Sequence, residues 1–249
     1  MNDFNPRDPL RMLPSQLGWR IRLNALMLVL GLFLLCLTPF IFWNVMSSAL
    51  ERLHIHPAVA ALLVPAIVVG GFFNIPMWAI RRDGEAPVYE MTSVGGVWQP
   101  LRVESSEPET LVALNVGGCV IPLLLVVWQL IYLLDAPFWV LLTIAAIVAA
   151  DAAVCYYSAA PEAGVGVAVP GFVPPLIAVV ATWILLSGEA NHGVRPSAAF
   201  IAGVLGPLIG GNLLRLPEMT RSPSRIVSIG GAGTFDGILL SGVLAALLA

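Results

Sequence analysis

Two aspartates lie in apolar stretches long enough to cross a membrane, and their carboxyls are the most reactive groups in those stretches. Asp236 lies ten residues into the apolar run 226–249, and Asp151 lies within a second run, residues 138–158. An acid in the interior of a bilayer is rare and by default indicates a functional site. Such a carboxyl can bind a proton or a cation, and two carboxyls that share a proton can activate water. In a purely structural role, each would be a protonated or hydrogen-bonded packing residue.

Four interruptions of the apolar runs combine glycines with a side chain able to bind a solute. They are GGFFNIP, NVGGCVIP, GPLIGGN and SIGGAGTFDG, and the candidate substrate-binding residues are Asn74, Asn115, Asn212, Asp236 and its neighbour Thr234. Transporters use the unpaired backbone groups of interrupted helices to hold substrates near mid-membrane. The structural alternative is that each asparagine only hydrogen-bonds a neighbouring helix.

The composition is that of a polytopic membrane protein. Of 249 residues, 58% are hydrophobic and 11% are charged, against about 25% charged in a soluble domain. All twelve basic residues are arginines and are dispersed, so no basic stripe for nucleic acid forms. The three histidines lack the spacing of a metal-binding helix, and we predict no metal or cofactor. The expected partners are the lipid bilayer and an ion or small solute.

These elements predict an all-α fold of about seven transmembrane helices, with segments interrupted by glycine and proline and a polar centre around the last span. A cytoplasmic N-terminal arm, residues 1–22, precedes a single transmembrane domain, residues 23–249. The predicted spans are residues 23–47, 57–80, 110–134, 138–158, a fifth ending near 186, 197–214 and 226–249. The string SAAPEAGVGVAVPGFVPP cannot be regular helix throughout, and we expect it to dip back into the protein before the fifth span.

Residues 81–109 form the one sizeable polar connection. Within it, VYEMTS and VWQPLRV flank Val94-Gly95-Gly96, which predicts a small hairpin. Pro100 cannot donate a backbone hydrogen bond, so one strand should be an edge strand. The inserted loop is expected to be cytoplasmic.

The arginines predict the orientation in a plasma (inner) membrane. With the N-terminus in the cytoplasm, ten arginines lie in inner segments, and only Arg52 and Arg195 lie in outer loops. This asymmetry follows the positive-inside rule, favours an odd number of spans and places the C-terminus outside. Asp236 would then lie about 15 Å, and Asp151 about 10 Å, from the inner ends of their spans. The two carboxyls could meet if those spans were neighbours.

Five strings together resemble an uncharacterised prokaryotic membrane-protein family, domain of unknown function 1614. They are FFNIP (72–76), ALNVGGCVIP (113–122), GVGVAVPGFVPP (164–175), VLGPLIGGNLL (204–214) and IGGAGTFDGILLSG (229–242). The resemblance covers everything after the first span. It implies a bacterial or archaeal origin and a compact helical membrane domain, but no activity.

Three functions therefore stay open, and with them the question whether the protein is an enzyme. The first is transport of an ion or small solute through a polar site around Asp236. The second is an intramembrane aspartyl protease with Asp151 and Asp236 as its catalytic pair and Pro174-Pro175 shaping the site. Against it, Asp236 does not directly follow Gly231-Ala232-Gly233, as the acid follows Gly-x-Gly in such enzymes. The third is a non-catalytic membrane scaffold or assembly subunit.

Overall fold

The structure is a computed structural model that describes residues 14–81, 88–94, 97–103, 109–162, 166–219, 226–231 and 237–249. The chain forms two compact units, Met1–Val45 and Met46–Ala249. In its described part, the first unit consists of most of helix α1, which spans Pro14–Arg52 and continues through Pro39. Residues 27–36 of this helix are all exposed. A helix that is apolar and exposed over this length is suited to lipid.

The second unit contains the end of α1 and all other described elements. After α1, the helices are α2 (Pro57–Gly70), α3 (Ile121–Tyr132), α4 (Phe138–Ser158), α5 (Val173–Leu185), α6 (Arg195–Pro207), α7 (Leu216–Met219) and α8 (Gly237–Leu248). Two π-helical segments, Val116–Val120 and Leu208–Leu213, precede α3 and follow α6. Short 3₁₀ turns lie at Leu133–Asp135 and Glu189–Asn191.

Within the part of the chain that the structure describes, four helical stretches are long and apolar enough to cross a membrane. They are Met27–Arg52, Val116–Asp135, Phe138–Ser158 and Arg195–Leu213. The helices α2, α5 and α8 are apolar but contain only 14, 13 and 12 residues. At 1.5 Å per residue each is about 20 Å long, which is less than the roughly 30 Å of hydrocarbon. The described helices therefore support a membrane protein with four candidate spans, and they do not confirm the predicted seven.

The all-α expectation is wrong in part, because three predicted spans include strands. The strands in the described residues are β1 (Asn74–Arg81), β2 (Val88–Val94), β3 (Val97–Val103), β4 (Glu109–Asn115), β5 (Ala160–Glu162), β6 (Gly166–Ala168) and β7 (Ile226–Ile229). Strands β1, β4 and β7 form one sheet in that order, with β4 antiparallel to β1 and parallel to β7. Short apolar runs look alike in strands and buried helices, so periodicity alone could not separate them.

Prolines explain part of the difference between the predicted helical spans and the strands in the structure. Pro76 cannot donate a ladder hydrogen bond, and it lies on β1, an edge strand whose register shifts between Pro76 and Trp78. In the predicted re-entrant segment, β5 pairs with β6, and α5 begins only at Val173. Pro174 and Pro175 then occupy the first helical turn, where no intrahelical N–H bond is lost.

The predicted hairpin is confirmed. Strand β2 pairs antiparallel with β3 along their whole length, from Val88 opposite Val103 to Val94 opposite Val97. Pro100 lies opposite Met91 on this two-stranded sheet. The chain enters the connection at Arg81 and leaves it at Glu109, which are register partners of β1 and β4. The insertion therefore leaves and rejoins the bundle at one place.

Hydrogen bonds show that the bundle has two distinct ends. At one end, which we call the turn end, Arg52 Nη1 donates to the Leu247 carbonyl and Gln129 Nε2 donates to the Leu53 carbonyl, both at 2.8 Å. Ser197 Oγ also donates to Gln129 Oε1 at 2.7 Å. These bonds join the ends of α1, α3 and α8 to the start of α6. The opposite end, the sheet end, carries the β1–β4–β7 sheet.

Among the described helices, α6 is the most enclosed. Residues 197–204 are buried without interruption. Helix α6 packs against α3, α4, α5 and α8. Small residues allow its close contact with α8, since a Cβ on Gly203 would lie 2.9 Å from the Ser241 carbonyl. Helix α6 is thus the element on which the others are assembled.

Candidate functional site

The structure brings two of the predicted binding residues together at the sheet end. Asn74 and Asn115 are register partners at the ends of β1 and β4. Asn115 is 2% exposed, and its Nδ2 donates to the Gly71 carbonyl at 2.7 Å and to Asn74 Oδ1 at 3.2 Å. Its Oδ1 accepts from the Gly118 amide at 2.8 Å and so caps the first π-helical segment. One side chain therefore links the end of α2, strand β1 and the start of the helical stretch Val116–Asp135, which contains α3 and which we call the α3 stretch.

A third polar residue, Ser228, completes this cluster, and sequence reasoning missed it. Its Oγ donates to Asn74 Oδ1 at 2.6 Å across a separation of 154 residues. The available signal was a hydroxyl two residues before the paired glycines in IVSIGG. We call this site the glycine junction. It comprises Gly70, Gly71, Asn74, Asn115, Gly117, Gly118, Ser228, Gly230 and Gly231.

The glycines of the junction allow three backbone segments to touch. A Cβ on Gly117 would overlap the Ile67 carbonyl oxygen and the Gly71 nitrogen, both backbone atoms at the end of α2. Gly230 has a φ of +77°, which side-chain-bearing residues rarely adopt. A Cβ on Gly230 would also lie 2.7 Å from the Cys119 Cβ. Three of the four glycine-containing interruptions therefore meet in one place.

The chemistry of the junction is that of neutral hydrogen-bonding groups. Amide, hydroxyl and backbone groups converge there, and Asn74 is the exposed member while Asn115 is enclosed. A solute could exchange hydrogen bonds with Asn74 without unpacking Asn115. Among the described residues, no group of three His, Cys, Asp or Glu side chains could hold a metal ion.

Two predicted site residues, Thr234 and Asp236, lie outside the described residues. The segment 232–236 connects Gly231 of the junction to Gly237, where α8 begins. The distance between the carboxyls of Asp151 and Asp236, on which the protease hypothesis depends, is likewise outside what the structure describes.

The fourth interruption lies elsewhere. Asn212 Nδ2 donates to the Pro207 carbonyl at 3.2 Å, within the turn that joins α6 to the second π-helical segment. A Cβ on Gly210 would overlap the Ala152 carbonyl oxygen of α4, and one on Gly211 would lie 2.6 Å from Val169 Cγ2. Within the described residues, no hydrogen bond joins Asn212 to the junction. The GPLIGGN segment therefore packs against Ala152 of α4 and against Val169, and it is not part of the Asn74–Asn115 cluster.

Asp151 is fully buried in α4, where it faces α6. A Cβ on Gly206 of α6 would overlap the Asp151 carboxyl, so the two helices touch at this point. The sequence placed the acid in the span, but the contact with Gly206 joins residues 55 positions apart in the chain.

The three histidines have local partners. His54 stacks on Tyr132 with ring centroids 4.2 Å apart, and its Nε2 lies 3.1 Å from the Tyr132 hydroxyl. His56 Nδ1 accepts from the Ala58 amide and caps α2. His192 Nδ1 lies 3.3 Å from Arg195 Nη1. These contacts close the turn end of the bundle.

Comparison with known proteins gives one match. No curated protein and no solved structure matches the chain. Residues 68–248 match a family model described as "Protein of unknown function (DUF1614)". The match starts in the last turn of α2 and includes the glycine junction, Asp151 and all of α6. The chain therefore belongs to the DUF1614 family, as the five strings predicted.

Proposed function

We propose that this protein transports an ion or small solute across a prokaryotic plasma membrane, through a polar site formed by the glycine junction together with Thr234 and Asp236. The observation that carries the proposal is the convergence of Asn74, Asn115 and Ser228 where three apolar runs are interrupted by a change between helix and strand. Irregular backbone at membrane depth persists only where protein or a wet cavity covers it. Substrate sites in transporters are built from such interruptions.

Covalent geometry keeps Asp236 within reach of this site. It follows Gly231 by five residues, and a chain extends by at most about 3.6 Å per residue. Its Cα therefore lies within about 18 Å of the Gly231 Cα. A carboxyl within that radius of Gly231, a member of the junction, would supply the charge that the described cluster lacks.

Flux through reconstituted protein tests the proposal. Vesicles of phosphatidylethanolamine and phosphatidylglycerol would carry the wild type, Asp236→Asn or the control Asp135→Asn, a change in the exposed turn between α3 and α4. The probes would be Na⁺, K⁺, chloride, phosphate and small carboxylates, each supplied as a gradient. We expect the wild type and Asp135→Asn to move at least one probe at equal rates, while Asp236→Asn loses that flux because the charged ligand is gone.

Equal flux through folded wild type and Asp236→Asn, or flux no greater than in protein-free vesicles for every probe, would exclude transport through this site. The apparent affinity of an Asn74→Ala variant for the transported probe provides a second measurement. Because Asn74 is the exposed member of the junction, its loss should weaken the apparent affinity for the transported probe.

The protease and scaffold alternatives have less support. A catalytic pair would need the second carboxyl to approach Asp151, but the Gly206 backbone already lies against that carboxyl. A scaffold needs no exposed polar cluster at a helix interruption, whereas Asn74 is exposed there. Cleavage of a model transmembrane peptide by the wild type, lost in Asp151→Asn and in Asp236→Asn, would favour proteolysis instead.

The same proposal includes seven crossings, with the N-terminus and the hairpin insertion in the cytoplasm and the C-terminus outside. The bonds from Arg52 to Leu247 and from Gln129 to Leu53, which join the ends of α1, α3 and α8 at the turn end, support this arrangement. The short helices α2, α5 and α8 would cross with the help of their non-helical flanks. The ten-to-two distribution of arginines supports this orientation.

Thiol labelling distinguishes seven crossings from four. In a background with Cys36, Cys119 and Cys155 replaced by alanine, single cysteines would be placed at Glu51, Ser105 and Glu189. With seven crossings, a membrane-impermeant maleimide added to intact cells should label positions 51 and 189, and position 105 only after permeabilisation. If only the four long stretches crossed, all three positions would lie on one side. Labelling of all three in intact cells would therefore contradict the seven-span topology.

A further inference from the structure

The carboxyl of Asp151 lies inside the bundle with almost nothing to stabilise a negative charge. Its Oδ1 accepts only a weak thiol hydrogen bond, with Cys155 Sγ at 3.7 Å. Its Oδ2 is buried and has no hydrogen-bond partner in the part of the chain that the structure describes. An isolated buried carboxylate is strongly unfavourable unless it is paired. The packed arrangement therefore suits the neutral acid.

The charged and titratable groups around α4 do not change this conclusion. On α4 itself, the neighbours toward the sheet end are Cys155, Tyr156 and Tyr157. Arg215, which follows the second π-helical segment, also contacts this end of α4, but its guanidinium is engaged there. Its Nη2 donates to the Tyr156 carbonyl and its Nη1 pairs with Glu218, both at 2.6 Å, and it lies over the Tyr156 ring. The sequences of α5 and of the second π-helical segment contain no titratable residue. Helix α6 contains only Arg195, eleven residues before Gly206 and so about 16 Å away along the axis. Arg195 Nε is engaged at the turn end, where it donates to the Leu186 carbonyl at 2.8 Å.

The contact with α6 also limits what could bind to this carboxyl. A Cβ on Gly206 would overlap Asp151 Oδ2, so no space for even a methyl group exists on that side. A metal cation needs several oxygen ligands around it, whereas a proton needs only the carboxyl oxygen. The ligand that fits the packed interface is a proton.

We propose that Asp151 is a reversible proton-binding site between α4 and α6, protonated while the helices are packed and deprotonated when they separate. Release of the proton leaves a carboxylate that must reach water, so protonation and helix packing are coupled. The second π-helical segment follows α6 directly, and π-bulges occur frequently at functional sites. This site is distinct from the glycine junction, and the proposal does not rest on transport.

Carbodiimide labelling of the full-length protein in vesicles tests the proposal. The acid proton of Asp151 moves to a nitrogen of apolar N,N′-dicyclohexylcarbodiimide, while the carboxyl oxygen bonds to its central carbon. The acyl group then migrates to nitrogen and leaves a stable N-acylurea that mass spectrometry locates. Because the packed carboxyl is fully buried, the reagent reaches it only when α4 and α6 separate. We expect an adduct on Asp151 of the wild type at mildly acidic pH, where the opened carboxyl is still protonated, less adduct as the pH rises, and none in Asp151→Asn.

A second variant keeps the test independent of how Asp151→Asn folds. Gly206→Ala should force α4 and α6 apart and admit water, so a water-soluble carbodiimide should modify Asp151 in this variant but not in the wild type. The matched control is Gly171→Ala, whose Cβ would meet no atom within 4 Å. No adduct on wild-type Asp151, or a yield that does not change with pH, overturns the proposal. The measured quantity is the adduct on Asp151, so the outcome of this test does not depend on whether the protein transports a solute.

Discussion

Gly117→Ala is expected to destabilise the folded protein by about 1–3 kcal/mol or more, the range for overpacking a well-packed site. The added methyl group would overlap the Ile67 carbonyl oxygen and the Gly71 nitrogen, and it would lie 2.9 Å from the Gly70 carbonyl carbon. All three are backbone atoms, so no rotamer change can relieve the overlap. The end of α2 would have to move away from the π-helical segment, which would also stretch the Asn115–Gly71 hydrogen bond.

The measurement is the apparent melting temperature in detergent, followed as loss of the monomer peak in size-exclusion chromatography. Gly31→Ala is the matched control, because a Cβ there would meet no atom within 4 Å. Alanine is a better helix former than glycine by about 1 kcal/mol, so the control should be neutral or slightly stabilising. Equal melting temperatures for the two variants would contradict the close backbone contact at the junction.

Asn115→Leu is expected to have the second large effect. Leucine is similar in size but removes the acceptor of the Gly118 amide and the donor to the Gly71 carbonyl. Each buried polar group left without a partner costs about 1–3 kcal/mol. It also removes the donor to Asn74 Oδ1, leaving that oxygen with Ser228 alone among the described residues.

Asn44→Leu provides the control for the loss of an asparagine. Among the described residues, the Asn44 amide donates only to the Phe40 carbonyl of its own helix, and Asn44 is exposed. We expect Asn115→Leu to lower the melting temperature clearly and Asn44→Leu to leave it nearly unchanged. If both variants melted together, the hydrogen bonds of Asn115 would not be what holds α2, β1 and the α3 stretch in place.

A third variant, Asn74→Ala, separates the structural role of the junction from solute binding. Asn115 and Gly117 hold the backbone, whereas Asn74 presents its side chain outward. Loss of flux in Asn74→Ala without a change in melting temperature would place Asn74 in solute binding. Loss of flux together with a lower melting temperature would instead show that Asn74 stabilises the junction.

Local pattern was sufficient to predict several features of this chain. Long apolar runs predicted α1, the α3 stretch, α4 and α6, since a sequence of that length and hydropathy has few other places to be stable. The turn glycines at 95–96 between alternating strands predicted the hairpin of β2 and β3, because its pairing is local. The five strings predicted the family. Each of these features is encoded in consecutive residues.

The tertiary structure decided the features that depend on distant pairing. Strand β4 became a strand because it pairs with β1 and β7, and β7 lies more than a hundred residues further along the chain. Ser228 reaches Asn74 only through that pairing, and Gly206 meets Asp151 only because α6 packs on α4. Apolar composition sets which segments avoid water, but it does not set which segments become neighbours. The membrane character of this protein follows from its sequence, whereas its glycine junction and its buried carboxyl follow from the packing of segments that are remote in the chain.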